Sequence, residues 1–291
     1  MKKRKLIVTH HCPDLDAIAS TWVLKRFDRH HYEDAEITFV NPGERISAEK
    51  LTELDIDSSL VTHVDTGLGK FDHHQPERAK QKICAASLTY EYICELHPEF
   101  KQDQALAELI DFVTEIDHFQ EIYWPEPSAT RYVMIIHELL RGHELTHENN
   151  DQSQMEFGLQ CLDYGYQALK SSVKARELIE EKGIKFKIKA GHCLGIETTN
   201  EDTIKEAQKM GYVLVVRKDE KYGHIRIKIR PDTDFSLAAL DKLIKKHDDK
   251  GTWFYHNSGK MLLNGSNSHS DQVPSELSLK RVIKMIKEIY E

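Results

Sequence analysis

The chain has 291 residues, of which 40% are hydrophobic and 30% charged, and its formal net charge is -8. This length allows one large domain or two ordinary ones, and the composition is that of a soluble globular protein. The negative charge argues against a protein that binds polyanions over its whole surface. Five cysteines without a CxxC pair argue against a disulfide framework. With no membrane-length apolar run and too short an N-terminal apolar stretch for a signal peptide, we expect a cytoplasmic protein without membrane partners.

The N-terminal half has the pattern of a doubly wound, mainly parallel α/β domain. A buried strand is predicted at residues 6–9, followed by a polar loop over 10–16 and a helix that begins near Ala17. Further strands are predicted at 35–40 and 60–64, and helices at 85–96 and 105–116. Functional residues of such a fold lie just beyond the carboxyl ends of the strands, where the polar loop is placed.

The pattern changes after about residue 128 and again after residue 183. Residues 128–183 are predicted to be helical, with a polar break at 148–152. Alternating strands follow at 185–189, 212–216 and 224–230, with helices at 203–210, 236–246 and 276–290. We therefore expect two domains, 1–183 and 184–291, the second being a smaller α/β domain.

Four short segments rich in Asp and His fall at predicted ends of strands or helices. They are His10 to Asp16, Val64-Asp65, Phe71 to His74, and Ile116 to His118. Their carboxylate oxygens and imidazole nitrogens suit a pair of ions such as Mn²⁺ or Mg²⁺. Clustered carboxylates repel one another unless cations lie among them. The alternative is that Asp14 or Asp16 caps the following helix.

In this order, the four segments resemble the motifs of the DHH phosphoesterase superfamily, which is named for the triplet found here as Asp72-His73-His74. The residues that match its first motif are His10, Pro13, Asp14, Asp16 and Ala17. Asp65 matches the second motif and Asp117 the fourth, so the resemblance covers about residues 5–120. One departure is Cys12, where the family usually has Asn.

The resemblance implies a hydrolase with two divalent metal ions, manganese first and magnesium as the alternative. One ion would be held by His10, Asp14 and Asp65. The other would be held by Asp16, Asp65, His73 and Asp117. His74 would touch the scissile phosphate or orient a ligand, and Asp72 would orient a histidine. The expected reaction is hydrolysis of phosphodiester or phosphomonoester bonds by a two-metal mechanism.

The family also implies a C-terminal substrate-binding domain, similar to the DHHA1 domain, for residues 184–291. The candidate substrate contacts there are Gly265, Ser266, Asn267, His269, Arg226 and Arg230. The alternatives are a polar surface loop and the solvated face of a half-buried sheet. The expected partner is a nucleotide or a short single-stranded nucleic acid, and a homodimer is left open. Residues 229–231 and 253–256 also show a looser similarity to a branch of the superfamily that includes a eukaryotic RNA exonuclease.

Three other functions compete with this interpretation. An inorganic pyrophosphatase of the same superfamily would carry an Arg-Lys-Lys cluster, and residues 260–275 have none. A non-catalytic nucleotide sensor on the same fold would be expected to lack metal ligands, yet all the ligand types are present. His143-Glu144-Leu145-Thr146-His147 fits a zinc-protease motif, which needs one continuous helix. Gly142 before the motif and Asn149-Asn150 after it argue against such a helix.

Overall fold

The structure is a computed structural model that describes residues 4–78, 80–265, 269 and 271–291. The chain divides into two compact units, Met1–Leu169 and Lys170–Glu291. The division falls inside the long helix α7 (Asp151–Lys182), whereas the boundary predicted near residue 183 falls just after that helix. None of the helices described combines the length and the apolar character that a membrane span requires.

The first unit contains a parallel sheet, so the predicted α/β class is confirmed. Its strands are β1 (Leu6–His10), β2 (Glu36–Val40) and β3 (Val61–His63), in the order β2-β1-β3. An isolated parallel bridge from Val64 to Phe71 extends the pairing beyond β3. All three strands were anticipated from the sequence, although β3 is shorter than the apolar run 60–64.

Helical segments cover the first unit on both sides of the central strand. They are α1 (Leu15–Phe27), α2 (Arg29–Tyr32), α3 (Ala48–Glu53), α4 (Ala85–Leu96), α5 (Gln104–Asp117) and α6 (Ile136–Thr146), with 3-10 turns at Ser58–Leu60, Pro98–Gln102, Gln120–Tyr123 and Thr130–Met134. Ile7 of β1 packs against Leu24 of α1, whereas Leu6 and Val8 pack against Ile56. A strand buried on both faces has no alternating polar pattern, which explains its continuous apolar sequence.

This topology determines where a ligand site can form. From β1 the chain crosses to one side to form β2, and it then returns to the other side of β1 to form β3. Because β3 lies parallel to β1 and beside it, the carboxyl ends of both strands lie at one edge of the sheet, which is where ligands bind in open α/β sheets. The loop after His10 and the residues after His63 both start from this point.

The second unit is built around a mixed six-stranded sheet. Its strands are β4 (Ile184–Ile188), β5 (Gly191–Glu197), β6 (Leu214–Lys218), β7 (Ile225–Ile229), β8 (Trp253–Tyr255) and β9 (Met261–Asn264), in the order β4-β5-β6-β7-β9-β8. Three further helices are α8 (Asp202–Lys209), α9 (Ala238–His247) and α10 (Leu279–Tyr290). The sequence did not predict β5, because its Gly191-His-Cys-Leu-Gly start lacks a clear alternating pattern.

His63, at the end of β3, makes the stability of the first unit dependent on pH. Its Nε2 accepts a hydrogen bond from the backbone N–H of Ile46 over 3.1 Å, so the ring must be neutral at that atom. Burial, together with the nearby Arg45 charge, lowers the pKa of His63 to about 4. The unfolded chain therefore binds a proton that the folded chain does not between about pH 4 and 6.5, and stability falls as pH falls through that window.

We expect the His63→Gln protein to lose less stability than the wild type between pH 7 and pH 4.5, because a glutamine oxygen accepts the same bond without titrating. Urea unfolding of both proteins with EDTA at several pH values measures this difference. Parallel pH profiles for the two proteins would contradict the role assigned to His63.

Candidate metal centre

Asp65 lies at the centre of the cluster that the four motifs form. Its side chain is only 3% exposed. One oxygen, Oδ2, lies 3.2 Å from His10 Nε2. The other, Oδ1, lies 3.5 Å from His73 Nε2 and 3.8 Å from His74 Nδ1. The two oxygens of a single carboxylate therefore face two different sets of histidines.

The six ligands expected from the sequence fall into two groups. Within each group, one potential ligand atom from every residue lies within 4.8 Å of the others. The first group is His10, Asp14 and Asp65, and the second is Asp16, His73 and Asp117. A third, overlapping group joins Asp65 to His73 and His74. His10 ends β1, Asp14 and Asp16 begin α1, and Asp117 ends α5. Residues that are far apart in sequence thus meet at the carboxyl edge of the sheet.

Asp14 acts as the cap that the alternative interpretation proposed, whereas Asp16 contacts the start of a different helix. Asp14 Oδ1 accepts a hydrogen bond from the N–H of Ala17, and so caps α1. Asp16, which is only 2% exposed, accepts 2.7 Å bonds from the N–H groups of Ala85 and Ala86, at the start of α4. A carboxylate has about four lone-pair positions, so these bonds leave further positions for a cation. The capping role and the ligand role are therefore compatible.

The pKa values of the clustered residues are shifted by their burial and by one another's charges. Burial lowers the pKa of His10, but Asp65 and Asp14 outweigh this and raise it to about 9. Burial acts in the same direction on His73, and the carboxylates around it again raise the pKa to about 9. Burial and the charge of Asp65 raise the pKa of Asp16 well above its usual value. The carboxylates of this cluster therefore favour positive charge beside them, which a bound cation would supply.

Two buried atoms at the centre support the same conclusion. Asp65 Oδ1 and His73 Nε2 make no well-formed hydrogen bond with any residue that the structure describes. Buried polar atoms in native proteins normally have a partner, and an ion is one of the explanations when they have none. The donor set of carboxylate oxygens and imidazole nitrogens suits Mn²⁺. The residues present therefore fit a divalent metal.

Asp72 and His74 are arranged differently from the six clustered residues. Asp72 is fully buried. Its Oδ1 accepts bonds from the backbone N–H of His74 and, over 2.8 Å, from the same residue's Nδ1, while Oδ2 accepts from the N–H of Leu68. The side chain of His74 remains 58% exposed. Asp72 thus fixes the orientation of an accessible imidazole.

Cys12, the departure within the first motif, has a left-handed backbone with φ of 50°. Asparagine adopts this region more readily than most residues, so the departure concerns the backbone. The partial burial of the thiol and the carboxylates of Glu144 and Asp151 raise its pKa. The thiolate form that would bind a metal is disfavoured, and no metal-binding group of the described residues includes Cys12.

A cavity of about 510 Å³ opens beside the cluster. Asp14, Asp16, His73, His74 and Asp117 line one part of it. Further lining residues include Phe119, Glu121, His137, Glu138 and Arg141, which sequence analysis did not identify, and Glu144, which it considered only within the zinc-protease pattern. Most of them come from α6, in a segment that had no assigned role.

The substrate contacts predicted for the C-terminal domain lie in the second unit. Arg226 pairs with Glu201 over 3.1 Å, and Arg230 pairs with Asp232. Gly265 has φ of 67°, and a β-carbon there would lie 2.3 Å from the ring of His224, so close packing requires this glycine. His269 is exposed. Ser266 and Asn267 lie outside the described residues. The substrate-binding role of these residues stays a prediction.

The zinc-protease pattern does not form a site. Helix α6 ends at Thr146, so His147 is its cap rather than part of a continuous helix. His143 Nε2 is bonded to Ser153 Oγ over 3.1 Å. Within the described part of the chain, neither histidine belongs to a group that could hold a metal.

Comparisons with known proteins find solved structures of low similarity to this chain. No family model matches the chain, and no curated protein matches it. Solved structures that resemble it include the DHH domain of a member of a ribosomal-protein family, with a TM-score of 0.32, and manganese-bound exonuclease RecJ, with 0.31. Both are 12% identical and cover 98% of this chain, which spans 86% and 90% of theirs. RecJ from Thermus thermophilus in complex with Mn²⁺ gives 0.28 at 12% identity, over 98% of this chain and 52% of that one.

Because these identities and TM-scores are low, the resemblance to the DHH superfamily rests on the chain's own residues. The four motifs occur in the expected order, and their side chains converge at the carboxyl ends of β1 and β3. The chain therefore resembles the DHH phosphoesterase superfamily both in the sequence of its motifs and in the site they form.

Proposed function

We propose that the protein is a metal-dependent phosphoesterase that hydrolyses phosphodiester or phosphomonoester bonds of nucleotides or short oligonucleotides. The observation that carries this proposal is the placement of Asp65. One of its oxygens faces His10 and the other faces His73, as a carboxylate shared by two ions would. Shared carboxylates of this kind are typical of the two-metal sites that cleave phosphoesters.

In this proposal two divalent ions, Mn²⁺ or alternatively Mg²⁺, are held by the two groups of ligands described above. Such ions, when bound, activate water and neutralise the charge that develops on the phosphoryl oxygens. Asp65 would contribute to both groups, with His10 and Asp14 on one side and His73 on the other. The capping bonds of Asp14 and Asp16 restrict both side chains before an ion arrives, which lowers the cost of binding.

His74 has a separate task in this proposal. Its Nδ1–H donates to Asp72, so Nε2 is the ring nitrogen left for a ligand. The imidazole is exposed and lines the cavity. We assign to it the contact with a phosphoryl oxygen of the substrate, and to Asp72 the orientation of that ring.

The other walls of the cavity favour a small substrate. Glu121, Glu138 and Glu144 carry negative charge there, and Arg141 is bonded to Glu138 over 3.1 Å. Phosphates held by the ions would be neutralised, but those further along a strand would meet carboxylates. Phe119 is exposed at the rim of the cavity and offers an aromatic face on which a base can stack. These features favour a nucleotide or a short oligonucleotide over a long strand.

The decisive experiment is hydrolysis by the purified protein with Mn²⁺. The panel consists of dinucleotides, oligonucleotides of about five and about thirty residues, mononucleotides and inorganic pyrophosphate. We expect turnover of dinucleotides or mononucleotides, slower cleavage of the long strand, and no turnover with EDTA. Preference for pyrophosphate would establish the competing pyrophosphatase function. Binding of Mn²⁺ without hydrolysis of any compound would instead favour a nucleotide sensor.

A further inference from the structure

The loop that carries the first motif is held in an unfavourable backbone conformation. Cys12 has φ of 50°, a region that residues with a β-carbon other than Asn and Asp rarely adopt. This residue lies between His10 and Asp14, both of which face the same group of metal-binding atoms. The left-handed turn at Cys12 therefore determines how the two ligands are placed relative to each other.

Helix α7 contacts three consecutive residues of this loop from a position about 140 residues later in the chain. Asp151 accepts a 2.8 Å bond from the backbone N–H of Cys12 through Oδ1 and contacts His11 Nδ1 at 2.5 Å through Oδ2. Gln154 Nε2 donates a 2.9 Å bond to the carbonyl of Pro13. Gln154 is only 4% exposed, so this bond is shielded from water.

We propose that Asp151 and Gln154 are positioning residues for the metal centre, which hold the 11–13 loop with Cys12 in its left-handed conformation. This inference rests on the metal site of the proposed function. Among the described residues, neither belongs to a metal-binding group. Both bond to the backbone of the loop, and Asp151 also contacts the ring of His11. Without the carboxylate of Asp151, the N–H of Cys12 has lost the partner that favours the strained turn, and the loop is expected to relax away from the geometry that joins His10 to Asp14.

Alternatively, the contacts stabilise only the packing of α7 within the first unit. Asp163 provides the matched comparison, because it is also a carboxylate of α7. It accepts a bond from Trp22 Nε1 over 3.0 Å and lies 3.4 Å from Arg26 Nε. Asp163 therefore contacts helix α1 without contacting the 11–13 loop.

The test is calorimetric titration of metal-free full-length protein with Mn²⁺ alone. We expect Asp151→Ala to weaken Mn²⁺ binding about 10- to 100-fold, the range typical of residues that orient metal ligands. Asp151→Asn, which keeps an oxygen for the N–H of Cys12, should lie between Asp151→Ala and the wild type. Asp163→Ala should bind Mn²⁺ as the wild type does, even where its melting temperature falls.

A rescue experiment separates positioning from general stability. Glycine adopts positive φ without a β-carbon penalty, so Cys12→Gly should restore most of the Mn²⁺ affinity that Asp151→Ala loses. A purely structural contact at Asp151 would not be rescued in this way. The proposal is overturned if folded Asp151→Ala and Asp151→Asn both bind Mn²⁺ within twofold of the wild type. It is also overturned if Asp163→Ala weakens binding as much as Asp151→Ala does.

The readout also distinguishes this inference from the proposed function. Wild-type protein that binds Mn²⁺ but hydrolyses nothing would contradict the enzymatic function and leave the positioning role to be decided by the same titrations. Wild-type protein that binds no Mn²⁺ would overturn both.

Discussion

The Asp65→Asn protein is expected to lose Mn²⁺-dependent hydrolysis by about a thousandfold or more, which corresponds to about 4 kcal/mol of transition-state stabilisation. Among the described residues, Asp65 faces His10 of one group and His73 of the other through separate oxygens, so its replacement would affect both proposed ions. An amide presents one neutral oxygen where the carboxylate presents two charged ones. Steady-state rates across Mn²⁺ concentrations measure the effect.

Asparagine is the appropriate replacement because of the backbone. Asp65 has φ of 51°, a left-handed conformation that Asn tolerates and Ala does not. Asp55, which is exposed and has φ of 53°, offers a matched control for the same substitution outside the cluster. We expect Asp55→Asn to retain wild-type activity.

Thermal unfolding supplies an independent reading of the Asp65→Asn protein. A ligand at a hundred times its Kd stabilises the folded state by about 2.7 kcal/mol per site, a shift of several degrees for a unit of this size. We expect Mn²⁺ to raise the melting temperature of the wild type and of Asp55→Asn, but not of Asp65→Asn. Activity of Asp65→Asn within tenfold of the wild type would contradict the bridging role.

Several of the residues proposed as metal ligands could be identified because they lie next to a strong local signal. His10 follows an apolar run typical of a buried strand, and Asp65 follows another. Parallel strands bring their carboxyl ends to one edge, so two local predictions imply one shared site. The Asp-x-Asp spacing added both Asp14 and Asp16. The double role of Asp16 was not predictable, because its partners at the start of α4 lie about 70 residues away.

Other features depend on contacts that leave no local pattern. The helical content near residues 136–182 was anticipated, but periodicity does not show that Asp151 and Gln154 reach the first motif. Likewise, Arg226 and Arg230 resembled an anion-binding row, and the structure gives each an acidic partner. Gly265 was a candidate substrate contact, and the structure shows that close packing against the ring of His224 also requires a glycine there. The sequence shows which residues are able to bind a ligand. Which groups they actually contact depends on the folded chain.

The ionised carboxylate of Asp117 destabilises the folded protein at neutral pH. It ends α5, where a negative charge opposes the helix dipole. Burial is the main cause that raises the pKa of Asp117 to about 6. The charge of His73 lowers this pKa, and the charges of Asp65 and Asp14 raise it. A carboxyl whose folded pKa is raised costs nothing below its unfolded pKa near 4, and its full penalty is present above about pH 6. The metal-free folded state is therefore destabilised at neutral pH.

The Asp117→Asn protein is accordingly expected to be more stable than the wild type with EDTA at pH 7.5. The gain in stability is on the order of 1–2 kcal/mol after allowance for solvent screening, and it should shrink as pH falls towards 4.

With Mn²⁺ the wild type should instead be the more stable protein, because the group of Asp16, His73 and Asp117 has lost a proposed ligand in the Asp117→Asn protein. We expect hydrolysis to fall at least about a hundredfold and the bound Mn²⁺ to fall from two ions to one. Urea unfolding with EDTA, together with Mn²⁺ titration, measures both effects. A protein that is destabilised with EDTA at pH 7.5, or that still binds two ions with wild-type affinity, would show that Asp117 is not a strained metal ligand.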